Sequence, residues 1–101
     1  MYRPLPPYIT IKSSSVEGLG LFSTKPIKKS TNLGISHVSH ILFDDGYIRT
    51  PLGGFINHSN TPNCKKLQEG RYLYIITLTD IIEDTELTLK YSLYDPLSPR
   101  V

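Results

Sequence analysis

Cysteine is nearly missing from this chain: Cys64 is the single one. One thiol excludes an intrachain disulfide and a cysteine-built zinc cluster, and it fits a reducing compartment. Long apolar runs are missing too. No stretch approaches the about 18 apolar residues that a membrane helix needs, and the opening Met1-Tyr2-Arg3-Pro4-Leu5-Pro6-Pro7 holds no apolar signal region. The expected setting is the cytoplasm, or a host cell interior for a viral protein. An excess of either charge is also lacking. Lys+Arg 11 against Asp+Glu 9 leaves +2, too weak a field to point to nucleic acid or an anionic membrane, so neither is expected as a partner. Finally, 101 residues leave no room for a second core. The chain is expected to be one domain over 1–101, with 1–7 and 96–101 as tails, and any ligand must be built into that core or its rim.

What is present has mostly a period of two. Tyr8-Ile9-Thr10-Ile11-Lys12 alternates like a half-buried strand, and the stretches 71–78 and 86–91 are rich in β-branched and aromatic residues. Gln68-Glu69-Gly70 reads as a hairpin turn between Cys64-Lys65-Lys66-Leu67 and the strand after it. Glycine and proline recur from Gly18 to Pro99 so often that no clean helix of ordinary length fits between them, beyond one short helical turn before Asn57. Leu33 to Phe43 fits two periods: Leu33, Ile35 and His37 alternate, while Val38, Ile41 and Leu42 suit a helical face. The fold class expected is mainly β.

Two segments carry polar groups that local structure does not ask for. Asn57-His58-Ser59-Asn60-Thr61-Pro62-Asn63-Cys64 gathers amide, imidazole and hydroxyl groups around a proline turn, and Glu86-Leu87-Thr88-Leu89-Lys90-Tyr91 is an apolar strand ending on a tyrosine. Together with Gly18-Leu19-Gly20-Leu21-Phe22, and in this order, they resemble the three signatures of SET-domain protein lysine methyltransferases, in a minimal form of the viral or bacterial kind. The resemblance spans about residues 9–95. It implies a β-clip-like fold of several small sheets, with a C-terminal pseudoknot that brings the second and third signatures together. Such threading is rare in proteins.

The same resemblance implies a methyl transfer from S-adenosyl-L-methionine to a lysine of a protein substrate. That chemistry asks the enzyme for position, deprotonation and a channel. Gly18 and Gly20 would let the backbone approach a bulky ligand, with Leu19 offering main-chain groups to its methionine end. Asn57 and His58 would bond the adenine edge and the amino acid end. Tyr91 falls at the position of the family's catalytic tyrosine, where a neutral phenol can bond the substrate amine. Tyr47 and Tyr94 are candidate walls of a lysine channel.

Other polar residues have plainer readings. His37 and His40 lack a third ligand, so no metal is expected. Cys64 suits a small core position, and Lys25, Lys28 and Lys29 suit a solvated edge. Asn57-His58-Ser59 matches a glycosylation acceptor, which the absence of a signal region discounts. The chain departs from the family pattern at Lys90, Gly54 and Glu17, leaving a catalytically weak SET-like binding module as the alternative to the enzyme. The stretch from Gly34 to Gly53 is short for the insert that shapes the peptide groove, so residues 92–101 or a homodimer partner must close the channel.

Overall fold

The computed structural model describes residues 5–39 and 47–90, with Tyr47 placed by its backbone alone. The short strands read from the sequence assemble into two four-stranded sheets. In the first, β1 (Ile9–Ser13) and β2 (Leu19–Ser23) form an antiparallel hairpin running from Ile9↔Ser23 to Ser13↔Leu19. Ser14 N closes the turn on Gly18 O at 2.8 Å, and Gly18 adopts φ +47°, a left-handed conformation that glycine takes without a Cβ clash.

Strand β8 (Glu86–Leu89) sits between β2 and the two-residue β5 (Asn57–His58), giving the order β1-β2-β8-β5. It runs antiparallel to β2, with Leu21↔Leu87 and Phe22↔Glu86, and parallel to β5, with Asn57↔Thr88 and His58↔Leu89. Leu87, Thr88 and Leu89 are all buried, which explains why this strand is not a clean alternation of apolar and polar residues.

The second sheet has the order β4-β3-β7-β6, built from β3 (Asn32–Ser39), β4 (Tyr47–Arg49), β6 (Cys64–Glu69) and β7 (Tyr72–Thr77). The β6–β7 hairpin turns at Gly70 and Arg71, where Gly70 takes φ +62°. Leu73, Ile75 and Thr77 point inward from β7. Residues 32–39 resolve to strand, but the register shifts between Asn32 and Gly34 and again between Ile35 and His37. Those irregularities put the neighbours Ser36 and His37 both inside, at 0% and 5% exposure. Two successive buried residues break the period of two within the strand.

One short helix, α1 (Pro51–Phe55), forms the turn before Asn57. Thr50 caps it by accepting from Gly53 N, and Pro51 opens it, where a missing N–H costs nothing. Leu21, Leu33, Leu52, Ile75 and Leu87 form the centre of the core between the sheets, and Leu5 and Tyr8 pack against it. Ile27 and Ile81 fasten the two connecting loops by reciprocal backbone bonds of 2.8 and 2.7 Å. The mainly β architecture of small sheets is as expected. The expected meeting of the second and third signatures is seen in the β5–β8 pairing, while residues 91–101, the rest of the C-terminal segment, lie outside the described residues.

Candidate functional site

Three stretches far apart in sequence converge at the rim of the first sheet. The β1–β2 hairpin brings Ser14 to Gly20, the end of α1 brings Asn57, and the start of β8 brings Glu86. Each is anchored by apolar burial next door: Leu21 follows Gly20, Ile56 precedes Asn57 and Leu87 follows Glu86, at 0%, 3% and 0% exposure. The polar side chains therefore extend from fixed backbone.

Asn57 is the link among them. Its Nδ2 donates to Glu17 O and Leu19 O, both at 3.1 Å, and to Glu86 Oε2 at 2.9 Å. The Glu86 carboxylate also accepts from Ser14 Oγ, at 2.7 and 2.8 Å to its two oxygens. Ser14 Oγ in turn accepts from Val16 N at 2.9 Å and Glu17 N at 3.3 Å, which fixes the turn. Buried Gly20 lies underneath: a Cβ there would run into Glu86 Oε2 and come within 3.1 Å of Asn57 Nδ2. At Gly18 a Cβ would meet nothing within 4 Å, so that glycine answers to its positive φ instead.

Asn63 makes a second link. Its side chain lies along β8 as a strand neighbour would, with Nδ2 donating to Glu86 O at 2.8 Å and Oδ1 accepting from Thr88 N at 2.9 Å. Ser59 N donates to Leu89 O at 2.8 Å beyond it. The polar run from Asn57 to Asn63 is thus stitched along β8 over most of its length. The parallel β5–β8 pairing also means that the chain leaves Leu89 at the same end as it leaves His58.

A model of the SET domain matches residues 40–92, which is half of the chain and includes both the polar run from Asn57 to Asn63 and strand β8. The chain belongs to the SET-domain family. A Plasmodium falciparum protein provisionally assigned as a histone methyltransferase has a similar structure, with TM-score 0.68 and 24% identity over 84% of this chain and 93% of that one. The methyltransferase domain of human PR domain-containing protein 2 superposes with TM-score 0.68 and 20% identity, covering 96% of this chain and 84% of that one. The SET domain of the RIZ1 tumour suppressor follows at 0.66 and 20%, over 87% of this chain and 71% of that one. At these identities the likeness is one of fold. No curated protein matches the chain by sequence.

The SET-domain fold accounts for the placement of the expected site residues. Gly18, Leu19, Gly20, Asn57 and the backbone of His58 are together at the rim, with Leu19 half exposed at 50% and its carbonyl taken up by Asn57. Tyr91 and Tyr94 lie outside the described residues, as does His40, and Tyr47 is placed only by its backbone, opposite Ser39 on β3. His37 is buried, with Nδ1 2.9 Å from Ser36 Oγ, and no metal-binding group of three His, Cys, Asp or Glu occurs among the described residues. Cys64 is a core residue, 1% exposed, and burial pushes its thiol up to about 12. Lys25, Lys28 and Lys29 are exposed in the connection between β2 and β3.

Ser14, Glu86 and Asn63 are the members that sequence reasoning passed over. Glu86 and Asn63 stand inside the quoted signatures but were given no role there, and Ser14 lies outside them. Gly20, a glycine inside a strand, marks a close approach by another group.

Proposed function

We propose that the chain is an S-adenosyl-L-methionine-dependent methyltransferase acting on a lysine side chain of a protein. The observation that carries the reading is the Asn57 amide, whose two N–H bonds face three acceptors, Glu17 O, Leu19 O and Glu86 Oε2. A cluster with more acceptors than donors suits a ligand end that only donates, and an ammonium is such a group. The amino acid end of the cofactor brings one, so the residues present fit it. Support also comes from the family and from the fold shared with structures described as methyltransferases.

In this reading Leu19, Gly20 and Asn57 hold the methionine end, Gly18 shapes the turn, and His58 serves the adenine edge. When bound, the cofactor supplies a methyl group on a sulfonium. Tyr91, two residues beyond β8, orients the lysine amine through its hydroxyl. Deprotonating that lysine at pH 7 costs about 4–5 kcal/mol from an ordinary pKa near 10.4, and a nearby cation with partial desolvation lowers the cost. Glu86 is not poised as the base, because Ser14 and Asn57 occupy its carboxylate.

The test is incorporation of labelled methyl into lysate proteins by the wild type and by Tyr91→Phe. The variant loses one oxygen, so cofactor affinity is expected to stay within a few fold. Transfer is expected to fall by about 100-fold or more, the scale for a positioned hydroxyl acting near the transition state. An unchanged rate in a folded variant would take the catalytic role from Tyr91. Cofactor binding without transfer by the wild type would favour the binding module.

A further inference from the structure

We infer that Glu86 is a positioning residue, whose carboxylate decides which way the Asn57 amide faces. The donor and acceptor roles in the cluster follow from the chemistry of its groups. Ser14 Oγ accepts from Val16 N and Glu17 N, so its own single hydrogen is left for Glu86. Glu17 O and Leu19 O can only accept, so the group that Asn57 turns toward them and toward the Glu86 carboxylate must be its NH2. The planar amide then directs Oδ1 to the opposite side, as an acceptor held in a fixed direction.

Among the three acceptors the carboxylate has the strongest hold. Its contact with Asn57 is the shortest, and a charged acceptor makes a bond roughly twice as strong as a neutral one. The two carbonyls belong to an exposed turn where water can replace Asn57, as the exposure of Glu17 and Leu19 shows. Glu86 is itself held on three sides: by Ser14, by backbone pairing of β8 with Phe22, and by the bare backbone of Gly20 beneath its oxygen. Turn, carboxylate and amide thus form one hydrogen-bonded chain, which couples the order of residues 14–18 to the direction of Asn57 Oδ1. In the ligand-binding sense this rests on the methyltransferase reading. The orientation of the amide does not.

The experiment uses the full chain and two readouts. The first is nuclear magnetic resonance of the Asn57 side-chain NH2 without ligand. A single pair of resonances, protected from solvent exchange, is expected for the wild type, and loss of that protection for Glu86→Ala and Glu86→Gln. The second is the dependence of transfer on cofactor concentration. In Glu86→Gln the cofactor KM is expected to rise about 5- to 20-fold with kcat within twofold, since the residue acts through Asn57 rather than on the reacting atoms. Ser14→Ala removes one support from the carboxylate without touching the core, and is expected to shift KM the same way by a smaller factor; it serves if the Glu86 variants do not fold. An Asn57 NH2 pair unchanged in the Glu86 or Ser14 variants, or an unchanged KM, would overturn the inference. A wild type that binds no cofactor would remove the methyltransferase reading, and the resonance measurement would still decide the role of Glu86.

Discussion

Glu86 and Gly20 share a diagonal across the β2–β8 pair, and the carboxylate of one fills the space that a side chain on the other would take. The register Phe22↔Glu86 puts Gly20 two residues along on the same face, within reach of a long side chain. Because Gly20 has none, the Glu86 carboxylate lies flat over β2 and meets Asn57 and Ser14 there. The two glycines of the Gly-Leu-Gly stretch therefore do different jobs.

Gly20→Ala is expected to displace Glu86, costing about 1–3 kcal/mol of stability and releasing Asn57. Gly18→Ala forces a positive φ on a residue with a Cβ but clashes with nothing, for a cost of about 1–2 kcal/mol that leaves the Glu86 contacts standing. Urea unfolding gives the stabilities, and the protection of the Asn57 NH2 separates the two variants: it is lost in the first and kept in the second.

Asn63→Ala should cost about 2–4 kcal/mol, because Glu86 O and Thr88 N lose their partner on a strand whose Thr88 is 8% exposed. Asn63→Asp is not expected to rescue it. An aspartate still accepts from Thr88 N but has no hydrogen for Glu86 O. Thermal and urea unfolding of both variants check this, and a stable aspartate variant would show that the clamp is not held by both bonds.

Cys64 gives a pH dependence with a definite sign. Burial raises its thiol from 9.0 to about 12, so the folded chain keeps a proton that the unfolded chain gives up. That stabilising contribution is complete below pH 9 and is lost as pH rises from 9 toward 12, at about 1.4 kcal/mol per pH unit. The stability difference between wild type and Cys64→Ala is expected to shrink by about 1.4 kcal/mol between pH 8 and pH 10. Urea unfolding at the two pH values measures it, and a constant difference would mean that the thiol ionises as readily in the fold as outside it.

The parts of this fold that the sequence revealed are those where one face of a regular element meets the core. Strands β1 and β7, the turn near Gly70 and the helical turn before Asn57 follow from alternation and from Gly and Pro chemistry. Strand β3 was one of two readings of its segment; register irregularities turn Ser36 and His37 inward together, where Ser36 Oγ bonds Leu73 O and Gly53 packs close to His37. A Cβ on Gly53 would come within 2.7 Å of the His37 ring, a constraint between residues on separate elements. Within the site, Asn57 and the glycines were legible through their motifs. Glu86 was not, since its role comes from a diagonal neighbour and a turn more than 70 positions away, at Ser14.

The most direct test of the central claim is a calorimetric titration of the full chain with S-adenosyl-L-methionine, repeated with Asn57→Ala. Micromolar binding is expected for the wild type, with a loss of about 1–3 kcal/mol, or roughly 5- to 150-fold, when the Asn57 amide is removed. No heat and no chemical-shift change with the wild type at millimolar cofactor would contradict the account.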